Sequence, residues 1–190
     1  MTTFMEHPIE FVAEFSKNQE MVFTFSRYDY KPDTLFDLRE IFTVSSLDLS
    51  VKWLDSQMGL LHEGQELALH SNVIVSGKKL HIPMIDFSID PSRKNEVYDR
   101  LNQFLPKDIL RSMAIYSSGR SLHGYSSKLI SNKKWIEFMG RLLLVNPRDN
   151  QENIIDGRWV GHRLIAGYSS LRWSNKSSNY LAMPLRINYL

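Results

Sequence analysis

Two aspartates stand at the ends of short apolar runs, and both could bind a divalent metal ion. Asp86 closes the run IPMID, and Asp156 closes the run IID. A carboxylate beside a buried strand is costly unless it meets a metal ion, a cation or water. Two such acids from distant segments can converge on an ion and position a nucleophile and a phosphate. Taken alone, Asp156 fits a turn equally well because glycine follows it, and Asp90 of the Asp-Pro pair is typical of a helix N-cap.

The stretch SSGRSLHGY, residues 117–125, combines a small-residue turn with a serine and a histidine two positions apart. Alternate residues share one face of a strand, so Ser121 and His123 would present a hydroxyl and an imidazole side by side. Gly119 permits a tight turn whose amides can bind an anion, and Arg120 adds a guanidinium that suits phosphate. A Ser/Gly turn followed by a half-buried histidine would produce the same pattern, because a Ser-x-His tripeptide is weakly specific by itself.

The segment GHRLIAGYSSLRWSNKSS, residues 161–178, mixes basic and aromatic side chains. Its basic residues are His162, Arg163, Arg172 and Lys176. Positive charge for phosphate beside an aromatic face for the base is the combination found in single-stranded nucleic-acid sites. A strand pair with tryptophans in the core would look similar, so Arg172 is the strongest candidate for a phosphate contact.

Composition narrows the classes of protein further. The chain has 190 residues, is 43% hydrophobic and 23% charged, and contains no cysteine, which excludes disulfides, thiolate zinc sites and a cysteine nucleophile. Residues 120–190 carry eleven basic and four acidic side chains, a balance of +7, whereas the whole chain carries only +2, so residues 1–119 carry −5. A basic half of this kind suits a polyanionic partner, although a solvated basic face is the simpler explanation.

Several enzyme and membrane classes are not supported by the motifs. The P-loop pattern, the Gly-x-Ser-x-Gly elbow and the His-Glu-x-x-His zinc motif do not occur in the sequence. The start MTTFMEHPIEFVAEF has no basic region followed by an apolar run, and no stretch is long enough to span a bilayer. We therefore expect a cytoplasmic protein without a signal peptide.

The elements that must position these residues form an α+β pattern. In the first third, we predict a helix in HPIEFVAEF followed by a strand, a turn and short helix in KPDTLFDLREIF, and a helix in SSLDLSVKWLDSQMGLL. ELALHSNVIV and LHIPMIDFSI read as two strands of a hairpin around a glycine turn.

The remaining pattern alternates strands and helices. A helix is predicted in DPSRKNEVYDRLNQFL, strands in RSMAIYSSG and SLHGYSSKLI, and a helix in SNKKWIEFMGRLLLV with Ser131 or Asn132 as its N-cap. IIDGRWVGHRLIAGYSSLRWS is predicted to contain short strands broken by glycines. No linker is visible, so we predict one domain.

Taken in chain order, these motifs resemble those of the archaeo-eukaryotic primase superfamily, the primase-polymerases. Its members carry an apolar strand with acidic residues, then a Ser/small-x-His motif, then an apolar strand with an aspartate. Here the corresponding pieces are the strand that ends at Asp86, SGRSLH at 118–123, and Asp156. LRWSNKS, residues 171–177, is similar to a basic segment that follows the third motif in several phage and plasmid members. The resemblance covers about residues 66–177.

The resemblance implies a fold and a domain organisation. The expected fold is α+β, a primase-polymerase-like core with an RRM-like antiparallel sheet flanked by helices. A single primase-like domain would span residues 1–190, with 1–65 as an amino-terminal αβ part and 66–190 as the motif-bearing core.

The resemblance also implies a function, namely a DNA primase or nucleotidyltransferase that makes primers or strands in replication. Its ligands would be nucleoside triphosphates (NTP or dNTP) and single-stranded or template nucleic acid. Its protein partners would be replication or defence proteins. The protein would act in a phage, a mobile element or a defence system, and it would not bind a membrane. Asp86 and Asp156 would bind Mg²⁺ or Mn²⁺ and act in catalysis with His123. The remaining site residues implied are Ser118, Arg120, Ser121, His123 and Arg172 for the nucleotide, and His162, Arg163 and Lys176 for nucleic acid.

One departure from the family pattern leaves catalysis open. The first motif usually has two acids at positions i and i+2, but the residue two after Asp86 is Ser88. Asp90 would stand about 13 Å from Asp86 along a continuous strand, too far to share a metal pair. The alternatives are a catalytically degenerate primase-like domain that binds nucleotides or nucleic acid within a larger assembly, and an α+β protein-interaction domain without a nucleotide site.

Overall fold

A five-stranded antiparallel sheet, the first sheet, forms the larger part of the scaffold. The computed structural model describes residues 7–31, 34–35, 37–148 and 152–187. The strands are β1 (Met21–Asp29), β2 (Arg39–Ser45), β3 (Gln65–Val75) and β4 (Lys78–His81), in the order β2-β1-β3-β4, and β8 (Ser170–Arg172) pairs with β3. The pairing of β8 with β3 therefore joins residues 170–172 to residues 68–70, which are about 100 residues earlier in the chain.

A second, four-stranded antiparallel sheet carries the first two motifs. Its strands are β5 (Met84–Asp86), β6 (Met113–Ser117), β7 (Leu122–Ser126) and β9 (Leu185–Arg186), in the order β5-β7-β6-β9. Both β5 and β6 run antiparallel to β7, and helices connect them, so β7 is inserted into a split βαβ unit. This is the RRM-like order for three of the strands, and the α+β prediction is confirmed.

Within the described residues, six α-helices pack on these sheets. They are α1 (Pro8–Phe15), α2 (Val51–Leu60), α3 (Lys94–Phe104), α4 (Lys107–Arg111), α5 (Asn132–Val145) and α6 (Gly157–Ala166), and a 3₁₀ turn (Pro91–Arg93) precedes α3. Ser131 caps α5 through the amide of Lys134, as predicted. The carboxylate of Asp90 accepts from the amide of Ser92 at 2.9 Å, which confirms its predicted place at a helix start. Within the described part of the chain, none of the helices has the length and apolarity that crossing a membrane requires.

The first sheet has one apolar face and one polar face. Its register places Leu69 between Phe25 and Leu171, and the preceding residue of β3 lies between Ser26 and Arg172. Residues paired directly across antiparallel strands share a face, so the two sets point in opposite directions. The apolar face is buried under α1 and α2. The polar face remains available to line a site.

Two predicted elements in the first half of the chain are wrong. The predicted short helix in KPDTLFDLREIF is instead β2, because residues 39–45 pair with β1 over their whole length, and residues 32, 33 and 36 lie outside the described part. The predicted long strand in LHIPMIDFSI is divided between β4 and β5, which belong to different sheets. Pro83 stands between them, and proline has no amide to donate to a ladder.

The predicted short strands after Asp156 are also wrong over most of their length. Residues 157–166 form α6, whose first turn is capped by the Asp156 carboxylate accepting from the amide of Trp159 at 3.0 Å. The helix ends at Gly167, whose φ of +78° suits glycine. An aspartate and a glycine that bracket a helix are a recognisable pair, but Gly157 and Gly161 obscured the helical pattern.

Buried histidines predict that the protein loses stability in mild acid. His70 is buried, its Nε2 lies 2.8 Å from Ser26 Oγ, and its ring stacks on Tyr168 at 4.3 Å. Burial, and then the charges of Arg39 and Arg163, lower the pKa of His70 to about 3. The unfolded chain binds this proton near pH 6.5 and the folded one does not, so stability present above pH 6.5 is lost as the pH falls.

We expect the melting temperature of the wild type to fall between pH 7 and pH 5. His70→Asn should reduce that slope by up to about 1.4 kcal/mol of unfolding free energy per pH unit. The matched control is His62→Asn, since His62 is exposed and its substitution should change the slope less than His70→Asn does. Equal slopes for wild type and His70→Asn, measured by circular dichroism, would contradict the prediction.

Candidate functional site

A cleft of about 640 Å³ opens where the polar face of the first sheet meets the ends of β5 and β7 and the start of α6. It brings together most of the site residues that the sequence singled out. Those that line it are Asp86, Ser88, Ser118, Arg120, Ser121, His123, Asp156, His162, Arg163 and Arg172. Lys176 is exposed but does not belong to the lining.

Backbone hydrogen bonds place the two aspartates next to each other. The amide of Asp156 donates to the carbonyl of Asp86 at 3.0 Å, and the amide of Ser88 donates to the carbonyl of Ile154 at 2.9 Å. A β-bridge joins Phe87 and residue 155 between these bonds. Residues 154–156 therefore lie antiparallel to residues 86–88, and Asp86, Ser88 and Asp156 all reach the cleft.

The two carboxyl groups interact unfavourably in the absence of a cation. Desolvation, and then the negative charge of Asp156, raise the pKa of Asp86 to about 8, and the opposing charges of Arg172 and Arg163 do not cancel this. A carboxyl with so high a pKa is largely protonated at neutral pH. A cation bound between the two groups would favour the ionised form of Asp86.

His123 lies directly across the strand pair from Asp86. The register of β5 and β7 pairs the two residues, and Nε2 of His123 is 3.8 Å from Oδ1 of Asp86. Burial, and then the charge of Arg172, lower the pKa of His123 to about 3, so its imidazole is neutral at physiological pH. The contact is therefore between two largely uncharged groups rather than a salt bridge.

The turn before β7 is shaped by a glycine and closed by a backbone hydrogen bond. The amide of Ser118 donates to the carbonyl of Ser121 at 2.8 Å. Gly119 has a φ of +105°, and a Cβ there would lie 3.3 Å from the amide nitrogen of Ala182 and from Cβ of Leu181. Both the dihedral angle and the close approach require glycine at this position.

Two side chains of this turn differ in their availability to a ligand. Arg120 is exposed and lines the cleft, so its guanidinium can contact a bound anion. The hydroxyl of Ser121 donates to the carbonyl of Phe87. Ser121 therefore ties the turn to β5, and it would have to give up that bond to contact phosphate through its hydroxyl.

Arg172 is a buried link between three segments. Its Nη2 donates to the carbonyl of Ser118 at 2.9 Å, and its Nη1 donates to the carbonyls of Ala182, at 2.9 Å, and Ser174. Its Cζ lies 4.0 Å from the ring centroid of Tyr180. The guanidinium thus positions the turn and the carboxy-terminal segment, and it adds positive charge beneath the cleft.

Helix α6 adds further basic residues to the cleft. His162 and Arg163 both line the cleft, and Nη1 of Arg163 donates to Oγ of Ser170 at 2.7 Å. Arg158 also lines it, although the sequence pattern did not single it out. Because this segment was predicted to form strands, the sequence analysis did not predict that residues 158, 162 and 163 face the same cleft from one helix.

The amino-terminal strands contribute residues that sequence reasoning missed. Tyr28 and Arg39 line the cleft from the polar face of the first sheet. Asp37 also lines it, and its two carboxylate oxygens accept from Nε and Nη2 of Arg39 at 2.6 Å each. The string RYDY at 27–30 has the same mixture of basic and aromatic residues as 161–178, and that signal could have identified this region.

Comparison with known families agrees with this geometry. The model of the archaeo-eukaryotic primase 1D-like family matches residues 45–185. The chain belongs to the archaeo-eukaryotic primase superfamily. Comparisons with curated proteins and with solved structures gave no significant match. Members of the superfamily generally use divalent metals and bind nucleotides and nucleic acid. The matched range of this primase-like chain contains both aspartates, the turn before β7 and Arg172.

The oxygen donors of the cleft fit one hard divalent ion. Asp86 and Asp156 are neighbours whose repulsion a cation would relieve, and carboxylates suit Mg²⁺ or Mn²⁺. Among the described residues, no group of three or more His, Asp or Glu side chains is arranged to hold a metal. The primase-like site thus offers the neighbouring carboxylates of Asp86 and Asp156, because Asp37, the third acid that lines the cleft, is bound to Arg39. Ser88 stands at the position where the family pattern predicts a second acid.

The burial of Asp86, and then its repulsion from Asp156, predict that neutralising Asp86 stabilises the metal-free protein. The folded state raises the pKa of Asp86 above the unfolded value, so ionisation of this group lowers the stability as the pH rises from about 4 to about 8. In buffer with a chelator at pH 7.5, Asp86→Asn should raise the melting temperature by about 4 °C or more, with a smaller increase at pH 4.5.

The matched control is Asp90→Asn, because Asp90 is exposed and a hydrogen bond from Ser92 lowers its pKa. This control should leave the melting temperature unchanged or slightly lower at pH 7.5. A lower melting temperature for Asp86→Asn than for the wild type at pH 7.5 would contradict the prediction.

Proposed function

We propose that this primase-like domain is a nucleotidyltransferase that binds a nucleoside triphosphate, a divalent metal ion and a nucleic-acid strand in the cleft. The observation that carries the proposal is the contact between Asp86 and Asp156, 70 residues apart in the chain, with His123 opposite the first of them. Neighbouring carboxyl groups that repel each other are costly for stability, and a metal-dependent transfer gives them a use.

Asp86 and Asp156 would hold Mg²⁺ or Mn²⁺, which when bound neutralises phosphate charge and polarises the phosphoryl oxygens. In the transfer, the oxygen of a strand's 3′-hydroxyl forms a bond to the α-phosphorus, the bond from that phosphorus to the pyrophosphate oxygen breaks, and the hydroxyl proton passes to solvent water. The neutral imidazole of His123, whose Nε2 lies 3.8 Å from Oδ1 of Asp86, can donate its Nε2 N–H to a phosphate oxygen beside that carboxyl.

Positive charge around the cleft would position the triphosphate and the strand. Arg120 lies on the turn before β7, and Arg158 and Arg163 lie on α6. A guanidinium is suited to phosphate because its planar fork can donate two hydrogen bonds. Arg172 would act mainly by position, since it holds the turn that carries Arg120.

The direct test is extension of a strand on a template with labelled nucleotides in Mg²⁺ or Mn²⁺. We expect product from the wild type and at least a thousandfold loss in Asp86→Asn and in Asp156→Asn, because each substitution removes a charged metal ligand. Both ribonucleotides and deoxyribonucleotides should be supplied.

Asp90→Asn is the control for that assay, since Asp90 is an exposed helix-start residue outside the cleft. It should retain the wild-type rate. If the wild type makes no product with either metal, or if Asp86→Asn matches it, the transferase proposal fails.

One observation favours a second candidate function. The protein would then be a catalytically degenerate domain that binds nucleotides and nucleic acid in a larger replication or defence assembly. Ser88 replaces the second acid, and its hydroxyl donates to the carbonyl of Asn153 at 2.7 Å. This bond uses the hydroxyl in holding residues 86–88 to the segment before Asp156. The protein would then keep the cleft without an additional acidic ligand.

The degenerate function predicts salt-sensitive binding of a single-stranded oligonucleotide without turnover. Raising the salt from 50 to 200 mM should weaken binding, because phosphate contacts release counterions. Arg120→Ala should weaken binding and reduce the slope of log affinity against log salt by about 1. Lys17→Ala is the control, because Lys17 follows α1 on the opposite face of the first sheet. Affinity independent of salt, measured by fluorescence anisotropy, would contradict this function.

A further inference from the structure

The mouth of the cleft differs in chemistry from its floor. The floor carries the two aspartates, His123 and the arginines, whereas the mouth presents large apolar side chains to solvent. These are Tyr30, Leu35 and Leu181, which line the same cleft and are 41%, 56% and 65% exposed. Exposed apolar groups that adjoin a charged cleft mark a surface for a ligand with both flat apolar and anionic parts.

Two tyrosines at the mouth form a supported aromatic pair. The rings of Tyr30 and Tyr180 have centroids 5.7 Å apart with planes inclined at 52°. Tyr180 is itself held, because the guanidinium of Arg172 lies over its ring and its hydroxyl forms a hydrogen bond with Tyr28. Tyr30 therefore rests against a fixed neighbour while much of its own ring remains open to solvent.

Positive charge adjoins this aromatic pair. Lys31 follows Tyr30, is exposed and lines the cleft. A base stacked on Tyr30 would leave its phosphate within the field of Lys31, and the next phosphates could continue toward the arginines of the floor. Aromatic stacking combined with a basic path is how single strands are bound without sequence preference.

We propose that Tyr30, backed by Tyr180 and flanked by Lys31, is a stacking subsite for a base of a single-stranded nucleic acid that enters the cleft. The inference rests on the proposed function, to which it adds the place where the strand is held. Tyr30 and Lys31 precede residues 45–185, so the subsite is built partly by a segment outside the family match. The exposed rim position favours a passing strand over the base of a nucleotide bound at the floor.

The test measures two affinities for each variant by fluorescence anisotropy: a labelled single-stranded oligothymidylate, and a labelled nucleoside triphosphate in Mn²⁺. Tyr30→Ala should weaken oligonucleotide binding by about 5- to 150-fold, the range found for one stacked base, and leave nucleotide binding unchanged. Tyr30→Phe keeps the ring and should bind as the wild type does. Lys31→Ala should reduce the salt slope by about 1.

Tyr98→Ala is the matched control, because Tyr98 is 45% exposed on α3 and does not line this cleft. Unchanged oligonucleotide affinity in Tyr30→Ala would overturn the inference, as would an equal loss in Tyr98→Ala. A loss of nucleotide affinity alone would overturn the assignment to a strand. Melting temperatures equal to the wild type's establish that the variants are folded.

The outcome is separable from that of the transfer assay. If the wild type makes no product but Tyr30→Ala still weakens oligonucleotide binding, the transferase proposal fails and the stacking subsite stands. If the wild type makes product but Tyr30→Ala binds the oligonucleotide normally, the subsite fails alone.

Discussion

Two backbone hydrogen bonds decide the chemistry of the cleft. The amide of Asp156 donates to the carbonyl of Asp86, and the amide of Ser88 donates to the carbonyl of residue 154. These bonds hold two chain segments side by side and so force two carboxyl groups into one desolvated place. This arrangement raises the pKa of Asp86. The order of the family's motifs in the chain has a physical meaning here, since the end of β5 and the segment just before α6 lie side by side.

The buried guanidinium of Arg172 holds other parts of the cleft in position. Arg172 joins the turn at Ser118 to the carboxy-terminal segment at Ala182, and it supports the ring of Tyr180. The same charge adds to burial, the larger cause, in lowering the pKa of His123, and it partly offsets the repulsion between the acids. One side chain therefore connects the architecture of the cleft with its electrostatics.

The first sheet contributes cleft residues that lie outside the family motifs. Its apolar face is covered by α1 and α2, and its polar face forms a wall of the cleft with residues that precede the matched range. The strand β8 pairs with β3, which brings Arg172 next to this wall. The amino-terminal part, expected only as an αβ addition, thereby lines the site together with the motif-bearing core.

The sequence by itself was sufficient for the α+β class and for the helix at 132–145, whose cap it placed at Ser131 or Asn132, because local patterning carries that information. Motif order was sufficient for the family resemblance, and the roles of the two aspartates and His123 stay predictions. The sequence was insufficient for β2, for α6 and for the role of Arg172. Strand β2 exists because β1 pairs with it, α6 was obscured by its glycines, and Arg172 is buried by carbonyls from segments far apart in the chain. Only the tertiary structure decided these points, since pairing and burial depend on distant residues that local periodicity does not contain.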